Sequence, residues 1–150
     1  FTNFPVVSIQ NEYSLLCRLY DTDMNEMSYY ENISLLAYSP LGGGLLTGKY
    51  LNNEMPTDSR ITRVSTIGDR VNKNAMKAVQ EYMKISKKFN IHPVHLALAF
   101  CTKRPFMGSV IFGATTDEQL DVVIKGLDVD LNDEIMKEIS LVYKNYALTF

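Results

Sequence analysis

The stretch Ser39 to Tyr50, SPLGGGLLTGKY, sets three consecutive glycines, a fourth at Gly48 and a lysine directly after the apolar run ISLLAY. Glycines let backbone amides come close to a ligand and lysine supplies countercharge, so the chemistry indicated is phosphate binding. Read from Gly43, the stretch is one residue away from G-x-x-x-x-G-K-[ST]. Gly48 and Lys49 are in place, but Tyr50 stands where a Ser or Thr must reach magnesium. The residues that follow, LNNEMPTDSR, are turn formers rather than the opening of a helix. Both faults exclude a P-loop. The dinucleotide fingerprint G-x-G-x-x-G fails as well: after Gly42 and Gly44 the next glycine comes one place late, and no acidic residue closes a second strand about 20 residues on.

A third kind of site uses two strand ends together. In SVIFGATTDEQL the small residues Gly113, Ala114 and Thr115 lead into a helix opening near Thr116. The free amides and dipole of such a start attract anions, and Thr115 and Thr116 add hydroxyl donors. Lys49 and Arg60, on the loop after the preceding strand, supply positive charge. In (β/α)8 barrels a phosphate site is often made from the loops after the last two strands and a helix N-terminus of this kind. On that reading the chain is the second half of a barrel. The same Thr-Thr-Asp-Glu run also serves simply as a well-capped helix with no ligand.

The elements that must hold these residues follow from periodicity. VVSIQNEYS, ISLLAYS and SVIFGA read as strands buried on both faces. TDMNEMSYYEN is a helix between the first two, with Thr22 or Asp23 as N-cap. From Asn72 to Asn90 the residues Met76, Val79 and Met83, with Tyr82, Ile85 and Phe89 beside them, form one apolar stripe of helical period. A further helix opens at Pro93, the favoured first position. Thr116 and Asn132 precede acidic pairs that open the last two helices, and Gly126 stops the first of them. Strands alternating with helices predict parallel βα units in an α/β protein. Three strands do not close a barrel, so both sheet edges are expected to be exposed. The one long irregular stretch, LNNEMPTDSRITRVSTIGDRV, carries Arg60, Arg63 and Arg70, and loops of that length are commonly functional or mobile.

Other reactive residues carry less. Cys17 and Cys101 lack C-x-x-C spacing and read as incidental thiols. His92 and His95 stand one helical turn apart with no carboxylate or cysteine to complete a metal shell, so no metal is expected. The 150 residues are 46% hydrophobic, which suits a single domain with a core, and a formal net charge of -2 with no basic patch argues against nucleic acid. No apolar run approaches the roughly 20 residues of a membrane span, and no leader-like segment opens the chain, so a cytoplasmic protein is expected. The chain starts at Phe1 and goes straight into an apolar run, which suggests a piece of something longer.

Six segments in order, SIQNEYSLLCR, LLAYSPLGGGLLTGKY, PTDSR, HPVHLALAF, RPF and GATTDEQL, give the chain a strong resemblance to the aldo-keto reductases. It resembles most the branch of bacterial Tas-like reductases and potassium-channel β subunits. The resemblance implies a partial (β/α)8 barrel over residues 1–150, with strands six to eight, and NADP(H) bound in an extended pose. It implies that Gln10, at the end of its strand, bonds the nicotinamide carboxamide and that Tyr38 stacks on the nicotinamide ring. Ser39, Pro40, Leu41, Gly42, Gly43 and Gly44 would wrap the pyrophosphate, Lys49 and Arg60 would hold phosphates, and Gly113, Thr115 and Gln119 would surround the adenosine ribose and its 2′-phosphate. Relatives often read adenine with Glu and Asn where this chain has Val122 and Val123, and Gln119 stands where some branches use arginine, so Arg60 would have to compensate. The family reduces small aldehydes and ketones with a catalytic tetrad from the first half of the barrel, so no catalytic residue is expected here and the chain alone should be inactive. Both histidines fall in the segment resembling an outer helix and are expected to lie away from the cofactor. The alternative function is a regulatory module that senses NADPH without turnover. The exposed sheet edges imply self-association.

Overall fold

In the computed structural model, which describes residues 4–64, 69–147 and 149–150, the three apolar segments form strands β1 (Ser8–Glu12), β2 (Ser34–Tyr38) and β3 (Met107–Ile111). They pair in parallel in the order β1-β2-β3. Each connection must therefore carry the chain back to the starting edge, and helices do so. Helix α1 (Met24–Glu31) joins β1 to β2; α2 (Arg60–Arg63), α3 (Lys73–Lys88) and α4 (Pro93–Thr102) join β2 to β3; α5 (Asp117–Lys125) and α6 (Asp133–Asn145) follow. Caps fix the boundaries as the sequence indicates. Asn72 accepts from the amides of Asn74 and Ala75, Thr116 from Gln119 and Asn132 from Ile135. Asp23 occupies the N-cap of α1 without a side-chain bond, and Thr22 donates to Leu19 O instead.

The expectation of strands buried on both faces is corrected. Leu35 and Ala37 are fully buried, but Gln10, Tyr38, Ser109 and Ile111 are exposed. The register explains this: Gln10 pairs with Leu36 and Leu36 with Ser109, while Glu12 pairs with Tyr38 and Tyr38 with Ile111. Paired residues of a parallel sheet share a face, so these two rows lie on one side. Among the described residues the core lies on the other side, where α4 packs on β3 and α3 and α6 share one apolar cluster with Leu35 and Ala37. The apolar runs were read as two-sided because periodicity cannot report which face receives a helix.

The core is aromatic and its polar members are tied. Tyr13 stacks on Phe100 at 5.7 Å and meets Phe106 edge-on at 5.4 Å. Its hydroxyl donates to Asp21 at 2.7 Å, and the same carboxylate takes Arg18 at 2.7 Å and Arg104 at 3.0 Å. Burial and the Asp21 charge push the Tyr13 phenol far up, so it remains a donor. Arg18 also lies over Phe100 and Tyr143, at 5.0 and 4.2 Å. This cluster links the segment after β1 to the entrance of β3. A second tie joins the tail to the same segment: Asn72 donates to Thr149 O, Thr149 donates to Leu16 O at 2.7 Å, and Arg70 holds Glu12 with both nitrogens while covering Phe150.

Among its described residues, the stretch expected to be irregular contains a 3-10 turn at Leu51–Asn53, the short α2 and further 3-10 backbone at residues 69–70, with residues 65–68 outside the described set. No helix among the described residues is long and apolar enough to cross a membrane.

Candidate functional site

At the end of β2 the chain must turn at once, and it does so with left-handed backbone. Ser39, Gly42, Gly43 and Gly44 have φ of 55, 58, 70 and 98°. Two of these glycines are also closely approached by side chains. A Cβ on Gly42 would lie 3.0 Å from Leu16 Cδ1, and one on Gly44 would lie 3.2 Å from Lys49 Cε. The amides of Gly42 and Gly44 donate to Ser39 O and Leu41 O, closing the turn on itself. The expectation that these glycines offer their amides to a ligand therefore does not hold for these two in this structure. Their role here is to shape the turn.

The turn leads into Gly48, at φ 81°, and returns Lys49 to the surface while Tyr50 enters the core. The buried Tyr50 hydroxyl has no hydrogen-bond partner among the described residues. A tyrosine locked in the core has no part in magnesium binding, in keeping with the exclusion of a P-loop.

Because β2 and β3 are neighbours with Tyr38 beside Ile111, their next residues emerge side by side. They open into one cleft of about 670 Å³. Ser39, Pro40, Leu41, Gly43, Gly44, Lys49 and Arg60 line it from the β2 side, and Gly113, Thr115 and Gln119 from the β3 side. Of the predicted set, Gln10, Tyr38 and Gly42 are not in that lining. Gly42 is buried behind the turn, and Tyr38 and Gln10 lie on the bare face of the sheet. Gln10 sits in the middle of β1 rather than at its end.

The β3 corner is held by its own side chains. Gln119 Oε1 accepts from both the Thr115 amide, at 3.0 Å, and its hydroxyl, at 3.2 Å. That leaves the Gln119 amide nitrogen as its donor toward a ligand. Glu118, whose carboxyl is held below the usual range by its own amide and by Thr116, also lines the cleft. No Cβ at Gly113 would meet any atom within 4 Å, so packing does not demand glycine there.

Sequence reasoning missed several lining residues: Thr47, Asp58, Arg63, His92, Val94 and Glu118. Arg63 adds a second guanidinium, paired to Asp58 at 3.4 Å on the surface. Among the described residues neither Lys49 nor Arg60 has an ion-pair partner within 4 Å. The expectation that both histidines stand away from the cleft is corrected for His92. As N-cap of α4 it accepts from the Val94 amide at 3.3 Å, and the start of α4 faces the cleft because α4 packs between β3 and α5. The Pro-opened helix was legible, but the direction of its first turn was not. The lining is thus cationic where α2 and Lys49 contribute and apolar where Val94, Val122 and Val123 do. Among the described residues no cluster of side chains could hold a metal.

The model of the Aldo/keto reductase family matches residues 2–144. Protein tas of Escherichia coli is 41% identical over 142 residues, covering 95% of this chain and 41% of that protein. A probable voltage-gated potassium channel subunit beta of Arabidopsis thaliana is 32% identical, covering 83% and 39%. The structure of a glycerol dehydrogenase from Gluconobacter oxydans superposes with a TM-score of 0.76 at 22% identity, over 97% of this chain and 44% of that one. The chain spans about two fifths of the length of these curated relatives.

The histidine at the cleft has a consequence for stability. Burial, and secondarily the neighbouring His95, hold the His92 imidazole below the usual histidine range. The unfolded chain takes its proton at about pH 6.5, while the folded chain resists it. The stability owed to this residue is whole above that value and is lost as pH falls through it toward the depressed folded value. His92→Asn keeps an N-cap acceptor and removes the titration. Urea unfolding at several values between about pH 7.5 and pH 5 should show a shallower loss of stability on acidification in the variant than in the parent, and parallel profiles would refute this.

Proposed function

The chain belongs to the aldo/keto reductase family, and from that premise we propose that it is the nucleotide-holding portion of an oxidoreductase that reduces aldehydes or ketones with NADP(H). The observation that carries the reading is the shared cleft: two adjacent strand ends, one with Lys49 and Arg60 and the other with Thr115 and Gln119, line a single cavity with a cationic part and an apolar part. A nucleotide has the same division, with phosphates for the cations and a base for the valines.

In this reading the three strands are the sixth to eighth of a (β/α)8 barrel, and the bare sheet face is part of the inner wall. Ser39, Pro40, Leu41, Gly43 and Gly44 would border the pyrophosphate, with Lys49 holding a phosphate and Arg60, aided by Arg63, the 2′-phosphate. Gly113, Thr115 and Gln119 flank the ribose, the Gln119 amide donating. Tyr38 and Gln10, both exposed on the bare face of the sheet, would hold the nicotinamide ring and its carboxamide. The nucleotide supplies a hydride from nicotinamide C4. This chain's residues would hold the nucleotide, and the proton for the carbonyl oxygen would come from residues outside it. Because Glu118 also lines the cleft, the preference for NADPH over NADH rests on Arg60 and Arg63 outweighing it.

A second reading is an NADPH-sensing regulatory module without turnover, and the similarity to channel β subunits favours it. A complete tetrad upstream would make the protein an enzyme; a broken one would make it a sensor.

Three measurements bear on this. Calorimetric titration with NADPH should give binding that weakens about tenfold in Lys49→Ala and in Arg60→Ala, the loss of one charge-assisted hydrogen bond each; unchanged affinity in both would remove the phosphate assignment. The 150-residue chain incubated with NADPH and a reactive aldehyde should show no fall in absorbance at the reduced-nicotinamide band, and measurable turnover would contradict the division of labour. Because β1 and β3 present unpaired edges, sedimentation should show concentration-dependent self-association, against which a single monomeric species at all concentrations would count.

A further inference from the structure

Helices α4 and α5 supply the two walls of the apolar part of the cleft, His92 and Val94 on one and Gln119, Val122 and Val123 on the other. Between them Val94, Leu98 and Val123 form a small buried cluster. Apolar contact of this kind is non-directional and carries no hydrogen bond to fix one helix against the other. His95 supplies a fixed point. Its Nε2 lies 2.7 Å from Val122 O, and because a carbonyl only accepts, the ring proton is on Nε2. In an unbroken α-helix that carbonyl would receive the Gly126 amide. Here the Gly126 amide turns to Val123 O at 3.0 Å, tightening the last turn. Val122 O then belongs with the C-terminal carbonyls that a helix offers to outside donors.

Gly126 serves the same contact from the other side. A Cβ there would lie 2.6 Å from His95 Cδ2 and 3.3 Å from His95 Cα. Its φ of -87° suits any residue, so what matters is the missing side chain, which admits the imidazole. One turn back on α4, the His92 ring lies 5.0 Å from that of His95, with His92 on the cleft side.

We propose that His95 is a positioning residue for the cleft: its bond to Val122 O locks the α5 wall to the α4 wall before any ligand arrives, and so sets affinity for the base-bearing part of the nucleotide. This rests on the reading of the cleft as a nucleotide site. It is tested on the 150-residue chain with two probes, adenosine 2′,5′-bisphosphate and reduced nicotinamide mononucleotide, titrated by calorimetry against the parent, His95→Ala, His95→Gln and Gly126→Ala. A Gln amide nitrogen reaches about as far along the side chain as His Nε2 and restores the donor. His95→Ala and Gly126→Ala should bind the bisphosphate about tenfold more weakly, one net hydrogen bond's worth, and the mononucleotide as the parent does, while His95→Gln stays within about threefold of the parent. The proposal is overturned if His95→Ala and Gly126→Ala match the parent, if His95→Gln is as weak as His95→Ala, or if both probes weaken together. Should His95→Ala fail to fold, Gly126→Ala and His95→Gln decide the matter by the same criteria. A parent chain that binds neither probe overturns the nucleotide reading itself, whereas a parent that binds and variants that do not differ overturn only the role of His95.

Discussion

A left-handed turn at the end of β2 governs what the rest of the molecule can do. Four residues between Ser39 and Gly44 have positive φ, a conformation that costs a residue with a Cβ about 1 kcal/mol or more and glycine almost nothing. With the turn in place, the chain doubles back quickly enough to return Lys49 to the mouth of the cleft while Tyr50 drops into the core. A more open turn would send Lys49 elsewhere and leave Tyr50 with nothing to bury against. The amides of Gly42 and Gly44 donate to Ser39 O and Leu41 O, so the loop's own backbone bonds hold this shape.

The turn is useful because of where β3 lies. Adjacent parallel strands release their chains at the same end of the sheet, so a loop rich in glycine and a helix start rich in hydroxyls, some seventy residues apart by the numbering of Tyr38 and Ile111, meet at one cavity. That adjacency is maintained from behind. Asp21 gathers Tyr13, Arg18 and Arg104 into one group, which ties the segment after β1 to the entrance of β3. Three such partners on one carboxylate are costly to desolvate and strongly directional, so the cluster favours a single arrangement over many similar ones. The tail adds a second constraint, with Arg70, Asn72 and Thr149 bridging the start of α3, the end of β1 and the last residues.

Among the described residues the opposite face of the sheet has no such cover. Gln10, Tyr38, Ser109 and Ile111 stand on it exposed, although α/β sheets ordinarily bury both sides. Among the described residues the packed core therefore lies on the helical side of the sheet. A parallel sheet with a helical layer on one side is in keeping with the α/β fold of the family.

Local chemistry is what the sequence settled alone. Asn72, Thr116 and Asn132 cap their helices because each side chain reaches an amide two or three residues away, and the Gly42–Gly44 run turns because no other residue does so cheaply; neither depends on distant parts. The alternation of strands and helices, and hence the parallel sheet, was legible for the same reason. Tertiary structure decided what depends on direction in space. It set which side of each strand received helices, so that apolar strands read as two-sided became one-sided. It moved Gln10 to mid-strand, hid Gly42 behind the turn, and brought the first turn of α4, with His92, to the cleft. Side-chain period gives spacing along an element, but the rotation and placement of that element are fixed only by the neighbours it packs against.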